Sequence, residues 1–400
     1  MSPDTTIVGG GIAGLATALS LAQAGRRVRV LEQAPRFTEI GAGLQVGPNA
    51  SRAMDRLGVL GPVRDKAVLP RRGLLLDAIT GETLTVLDLG AAFVRRFGYP
   101  YLVVHRSDVL DALLHACREH PFVELYNGKL VSEAEIDSTG GVLTCEDGST
   151  FSSRAVVGAD GLQSRLRRVL VDDELVGTGF AAYRGTMPVS QAPDGVNVDD
   201  VLIWIGPGMH LVQYPVRRGE IFNQVAVFKS DRFAAGEHSW GGPEELDARF
   251  SVACDNVRAA VALVGRDQRW PMYDREPLTT WIRDRLLLVG DAAHPMLQYL
   301  GQGACQALED AVELGTQFVI HGDDVDEAFR SFEQVRLERA SRCQRSARPW
   351  GEVWHSDDPV VVGLRNRVFR LRAAQDYDEL DWLYGDHLTS LEATGGEVKA

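Results

Sequence analysis

The feature that most constrains this chain is its first 32 residues. Thr5-Thr6-Ile7-Val8 is a β-prone run, Gly9-Gly10-Gly11-Ile12-Ala13-Gly14 follows, a helix-prone stretch with Leu15, Leu19 and Leu21 among alanines runs to Gly25, and Arg27 to Glu32 alternates as a second strand. Strand, glycine turn, helix, strand is the order of a dinucleotide-binding βαβ unit. Gly9 permits the tight turn, Gly11 lets a pyrophosphate approach the backbone, and Gly14 lets the helix lie close to the first strand. Gly9, Gly11, Ala13 and Gly14 are therefore the expected cofactor positions, with phosphates on free amides at the helix N-terminus. Glu32 follows Gly14 by 18 residues, near the roughly 20-residue spacing of the acid that accepts from a ribose 2′-hydroxyl. An acid there repels a 2′-phosphate, so NADP is disfavoured at this site. The motif alone does not separate FAD from NAD.

A chain of 400 residues has room for two or three domains around a large cofactor. Its formal net charge of −13 gives no electrostatic case for nucleic acid or an anionic membrane. The five cysteines are odd in number, widely spaced and without a CxxC pair, which reads as buried free thiols in a reducing compartment, with no disulfide and no metal site. No apolar run reaches the roughly 18 residues of a membrane span, and the start enters its first strand without a signal-like apolar core. The expectation is a cytoplasmic enzyme.

Beyond Glu32, Ile40-Gly41-Ala42-Gly43-Leu44-Gln45-Val46-Gly47-Pro48-Asn49-Ala50 reads either as a second loop over the cofactor or as an ordinary loop capping a helix. Leu74-Leu75-Leu76 and Leu84-Thr85-Val86-Leu87 flank the turn-like Thr80-Gly81-Glu82 and predict a hairpin of another domain. Val103-Val104-His105 then leads into a helix with Val109, Leu110, Leu113 and Leu114 on one side. Arg106 at its start either reaches cofactor oxygens or pairs with Asp108 at the surface. Two later strands each deliver an acid and a glycine to the start of a helix: Ala155-Val156-Val157-Gly158-Ala159-Asp160-Gly161, and Leu286-Leu287-Leu288-Val289-Gly290-Asp291. Acids at such strand ends face the ligand crevice of an α/β sheet, the alternative being helix N-caps. Gly301-Gln302-Gly303 opens a long helix from about Ala304. Between these stretches Val201–Ile205, Met209–Tyr214 and Ile221–Phe228 read as short antiparallel strands. Period-two alternation puts His210, Val212 and Tyr214 on one face, with Leu211 and Gln213 on the other. A histidine and a tyrosine around an apolar residue suit a phenol pocket, while a lone strand histidine is more often structural.

The three glycine-acid stretches together resemble the class A flavoprotein aromatic hydroxylases, the family of p-hydroxybenzoate and salicylate hydroxylases, over nearly the whole chain. The resemblance implies an α/β fold with a discontinuous Rossmann-like FAD-binding domain (1–70, 98–175 and 270–340), an antiparallel-sheet substrate domain (71–97 and 176–269) and a C-terminal helical region (341–400). It implies that Asp160 and Gly161 lie near the pyrophosphate and NAD(P)H, that Gly290 and Asp291 bind the ribitol, that Arg106 contacts FAD, and that Gly301, Gln302 and Gly303 face the isoalloxazine. No second complete GxGxxG precedes a helix, so NADH is expected as a transient co-substrate, NADPH not being excluded. Met209-His210-Leu211-Val212-Gln213-Tyr214-Pro215 and Pro295-Met296-Leu297-Gln298-Tyr299-Leu300 look most like the branch that hydroxylates 3-hydroxybenzoate to gentisate with O2, by way of a flavin C4a-hydroperoxide. There His210 and Gln298 would be catalytic and Tyr214 would line the substrate pocket. Decarboxylating 1-hydroxylation of salicylate is the alternative reaction, and a non-catalytic flavin carrier or regulator the alternative class. The resemblance and the aromatic residues after Arg342 imply a homodimer. Which side chain receives the substrate carboxylate is not legible.

Overall fold

The computed structural model describes residues 4–38, 42–192 and 197–391. Ile40 and Gly41, the start of the expected second loop, lie outside them.

The opening residues fold as their pattern demands. Thr5–Val8, Ile12–Gln23 and Val28–Glu32 form strand, helix and strand, the strands pairing in parallel. They sit in a six-stranded sheet ordered Ile282–Arg283, Leu286–Leu288, Ala155–Gly158, Thr5–Val8, Val28–Glu32, Val123–Asn127. Thr5–Val8 and Ala155–Gly158, near its centre, are buried along their whole length, as a parallel sheet covered on both faces requires. Helix Gly303–His321 packs along Ile12–Gln23, and Ile7, Leu15, Leu19, Val157, Leu287, Leu308 and Phe332 share one apolar core. Each such fully buried side chain contributes about 1.5–3 kcal/mol, so this half is held by sheet and helices together.

The second half is a seven-stranded sheet ordered Arg269–Asp274, Val176–Pro188, Ile221–Lys229, Met209–Val216, Val201–Gly206, Arg72–Asp77, Thr83–Asp88. It is antiparallel except where Val201–Gly206 runs parallel to Arg72–Asp77. The predicted hairpin is thus the far edge of this sheet. Its outer face packs on helices Pro243–Phe250 and Asp255–Ala262 through Leu211, Phe228, Leu246 and Val257.

The structure shifts several expectations. Residues 43–46 of the glycine-rich second stretch are a strand paired with Leu102–His105, because both segments carry apolar residues at matching positions. The expected boundary at 269/270 falls inside the seven-stranded sheet, since Arg269–Asp274 hydrogen-bonds along Val176–Tyr183. That at 340/341 falls inside one helix, Val325–His355. Beyond Asp160 the chain forms a turn and only a four-residue helix, Arg167–Leu170, with Asp160 accepting from the amides of Arg165 and Leu166 just before it. The C-terminal aromatics Trp354 and Phe369 are consumed within the chain, against Leu75, Ile205, Val227 and Tyr299 of the second half.

Candidate active site

A cavity of about 820 Å3 runs from the glycine turn to the His210 strand, within the ~300–1,000 Å3 usual for a ligand site. At its first end Gly9 has φ +106°, and a Cβ there would stand 2.2 Å from the carbonyl oxygen of Ala159. A Cβ on Gly14 would stand 1.9 Å from the Gly9 oxygen. No other residue type fits either position, and the amides at the start of helix Ile12–Gln23 are left facing the cavity. This is a cradle shaped for a pyrophosphate. Glu32 accepts hydrogen bonds from the amides of Gly10 and Ala34, each at 2.7 Å, which fixes its carboxylate on the cavity wall. Its second lone pairs stay available to a ribose hydroxyl.

Asp160 behaves as the structural alternative foresaw and still lines the cavity: it accepts from Ser164 Oγ at 2.5 Å and from the amides of Arg165 and Leu166. Gly161, Asp291, Gly301, Gln302 and Gly303 line the same cavity, as does Ala13. A Cβ on Gly290 would meet Ala13 Cβ at 2.8 Å, so the third stretch lies directly on the first. Arg106 also faces the cavity; burial lowers its pKa and nearby Asp291 opposes the shift. Asp108, its other candidate partner, instead takes ion pairs from Lys66 and Arg217.

A buried ionic cluster positions these loops. Arg336 donates to both Glu309 and Asp310, and Asp310 in turn accepts from the Gly290 amide at 2.9 Å and from His294 Nε2 at 2.6 Å. Glu309 accepts from Asn49 at 2.5 Å, while the carboxamide oxygen of Gln302 accepts from Asn49 and Gln306. Arg336 and Arg339 hold the Glu309 carboxyl down to about 2 despite burial, and His294 and Arg336 do the same for Asp310. The sequence showed none of this, since its members lie on three helices and the loops between them.

The other end is set by strand register. One row across the seven-stranded sheet pairs Arg184 with Val225, Val225 with Val212, Val212 with Ile203, and Ile203 with Leu75. All five line the cavity. His210 and Tyr214 flank Val212 on its strand and face the same way, as alternation requires, whereas Gln213 on the opposite face bonds Trp204 and Gln224. Burial raises the Tyr214 pKa well above its ordinary value, so its hydroxyl is a donor and not a base.

Around His210 the donors fix one another. Arg184 Nη2 donates to Gln298 Oε1 at 3.2 Å; a guanidinium cannot accept, so the carboxamide oxygen must face it. The Gln298 amide nitrogen then points at His210 Nε2, 3.3 Å away, and that nitrogen must carry a lone pair. The His210 proton therefore sits on Nδ1 and is donated to Nε2 of His355 at 2.7 Å. The two imidazoles stack at 17°, with Tyr299 and Trp354 against His210. Burial, and then His355, lowers the His210 pKa well below 6.5; burial, Arg365 and Lys229 lower that of His355 to about 3. Both rings are neutral at pH 7, and the lone pair of His210 is on Nε2, where the cavity-lining Gln298 donates to it.

His355 and Arg184 escaped the sequence reading. His355 ends a 31-residue helix, 145 positions from His210, and no spacing rule links them. Arg184 lies on a strand containing Gly177, Gly179 and Gly185, residues that argue against a strand. The five cysteines are free, and burial pushes the thiol of Cys305, which faces the Gln45 backbone carbonyl, up to about 12. No group of three or more His, Cys, Asp or Glu placed to hold a metal occurs among the described residues.

A sequence profile described as the FAD binding domain matches residues 3–347. The chain is 38% identical over 380 residues to the 3-hydroxybenzoate 6-hydroxylase of Polaromonas naphthalenivorans (strain CJ2), covering 95% of each. It is 38% identical over 384 residues to that of Klebsiella oxytoca, covering 95% of this chain and 96% of the relative. Among solved structures, HpxO from Klebsiella pneumoniae, complexed with FAD and uric acid, superposes with a TM-score of 0.82 at 26% identity, covering 95% of this chain and 97% of that one.

Proposed function

This chain belongs to the FAD binding domain family and is an FAD-dependent aromatic monooxygenase; we propose that it hydroxylates 3-hydroxybenzoate para to its hydroxyl, giving gentisate, with NADH and O2. FAD, once bound, would supply the redox chemistry that couples NADH and O2 to oxygen transfer. The chain fits that cofactor, with the Gly9 to Gly14 turn for the pyrophosphate, Glu32 for the adenosine ribose, Arg106 and Asp291 along the middle, and Gly301 to Gly303 nearest the substrate end.

What the protein must add is an electron-rich ring, held in place and away from water. The observation that carries the reading is the lone pair fixed on His210 Nε2 by a chain of donors that begins at an arginine and passes through Gln298, a contact that a substrate hydroxyl would take over. His210 Nε2 accepts the phenolic proton, and the phenolate formed beside it stabilises the imidazolium that burial otherwise disfavours. Gln298 orients the hydroxyl, Tyr214 donates from the opposite side, and Val212 and Val225 form the apolar floor. The test is a screen of substrate-dependent NADH and O2 consumption over simple hydroxybenzoates with product analysis. Gentisate from 3-hydroxybenzoate is expected. Catechol from salicylate would replace this assignment with decarboxylating 1-hydroxylation, and no NADH consumption with any phenol would leave a flavin carrier or regulator.

We further propose a cytoplasmic homodimer in which NADH, rather than NADPH, docks transiently on the FAD-binding half. No helix among the described residues is long and apolar enough to cross a membrane. Helix Pro359–Leu371 leaves Val360, Leu364, Val368 and Leu371 each at least 60% exposed along one stripe, an apolar face of the kind that subunit contacts cover. A monomeric mass by light scattering at micromolar concentration would refute the dimer.

A further inference from the structure

We propose that Arg184 is the anion receptor of this site, binding the carboxylate of the aromatic substrate and so restricting the enzyme to ring acids. The inference rests on the function proposed above and supplies the group that the sequence left unassigned.

Arg184 projects from strand Val176–Pro188 on the cavity face, beside Val225. Its neighbour Tyr183 points to the opposite face, where its hydroxyl bonds the Gly241 carbonyl. Of the four other Lys and Arg groups on the cavity wall, Arg372 donates to the Asp376 backbone carbonyl and three have acidic company. Lys129 pairs with Asp147, Arg165 with Glu146, and Arg106 has Asp291 nearby. Arg184 has no carboxylate within ion-pair distance among the described residues; its one protein acceptor there is the Gln298 carboxamide, and its guanidinium lies 5.8 Å from the Trp270 ring centroid. The charges it senses are Tyr214, which burial keeps protonated, and Arg106, which repels it.

Arg184 is exposed to solvent through the cavity, and a ring that displaced this water would leave its charge needing a counter-ion. Its accessible surface opens onto the cavity, and four of its five N–H donors are not engaged by Gln298. That planar fork matches a carboxylate through two parallel hydrogen bonds. The position is also right for a ring acid. Gln298 touches Arg184 with its oxygen and His210 with its nitrogen, which places the guanidinium and the base within about 9 Å of each other across the width of one carboxamide. A 3-hydroxybenzoate ring lying beside Gln298, over Val212 and Val225, would turn its carboxylate toward Arg184 and its meta hydroxyl toward His210.

The experiment uses FAD-loaded wild type, Arg184→Met and Arg184→Lys. Binding of 3-hydroxybenzoate and of its uncharged isostere 3-hydroxybenzamide is measured by perturbation of the flavin spectrum, FAD retention by ultrafiltration, and turnover of 3-hydroxybenzoate by product formation. A charge-assisted pair predicts that Arg184→Met weakens the acid about 10- to 100-fold while changing the amide less than about threefold, with Arg184→Lys between. Unchanged preference for acid over amide, equal loss of both, or loss of FAD in place of substrate each overturns the receptor role. Wild type that turns over 3-hydroxybenzoate with Arg184→Met keeping that preference refutes the receptor and leaves the activity standing. Wild type inert to 3-hydroxybenzoate that binds other aromatic acids, and loses them in Arg184→Met, supports the receptor and refutes the substrate.

Discussion

His355 touches nothing but protein, yet the donor chain predicts that changing it to Phe disables the base. Phenylalanine keeps the stack on Phe180, whose ring lies 4.5 Å away, and the backbone carbonyl that accepts from Gly208. It removes only the acceptor for His210 Nδ1. That buried N–H is then unsatisfied, at a cost of about 1–3 kcal/mol. His210 escapes by moving its proton to Nε2, which sets N–H against N–H at Gln298 and takes the lone pair out of the cavity. Either way the base-competent form is disfavoured by the same energy, a factor of about 5 to 150. The expected result is FAD-bound, folded His355→Phe with hydroxylation reduced by that factor, while substrate-stimulated NADH oxidation continues and releases hydrogen peroxide. His355→Gln, whose carboxamide oxygen accepts from Nδ1, should recover most of the loss, which a packing role would not explain. Coupled NADH oxidation, peroxide and gentisate are measured together at about pH 7.5, above the range in which either histidine charges. Wild-type coupling and rate in His355→Phe would refute the tautomer argument, since nothing else holds the Nδ1 proton.

His210→Ala should leave FAD bound and cut the hydroxylation rate by ~10² to 10⁴, the usual worth of a general base; a loss of only severalfold across neutral pH would remove it from that role. Glu32→Lys strips acceptors from the Gly10 and Ala34 amides and should weaken FAD by roughly tenfold or more, read by fluorescence titration of the apoprotein; equal affinity would take Glu32 out of the site. Acid should destabilise the protein early. The folded pKa values of His210 and His355 lie below that of the unfolded chain, so the unfolded state alone gains protons as pH falls below about 6.5, at about 1.4 kcal/mol per pH unit per histidine, the His355 share ending near its folded value of about 3. The carboxylates Glu309 and Asp310 add stability that is present above roughly pH 4.5 and lost as pH falls through their folded values of about 2. Melting temperature against pH should therefore decline from about 6.5 downward, less steeply in His355→Phe, and a flat profile from about pH 7 to 5 would contradict this.

The cofactor half was legible because its constraints are local. A turn in which Gly9 must take a positive φ and Gly14 must touch a backbone oxygen admits one residue type, and the strands on either side announce themselves by composition within 32 residues. Likewise the period of a strand puts His210, Val212 and Tyr214 on one face from residue order alone. What strand period cannot say is which face meets the cofactor, or what stands opposite. That depended on the seven-stranded sheet laying Arg184 two strands away from Val212, and on a 31-residue helix ending with His355 against His210. The buried Arg336 cluster is of the same kind, joining helices and loops through contacts up to 260 residues apart. Hydrogen-bond direction, burial and the absence of a counter-ion are properties of space and not of sequence order. They decide here which nitrogen of His210 carries the lone pair, that Tyr214 stays protonated, and that Arg184 has no carboxylate within ion-pair distance among the described residues.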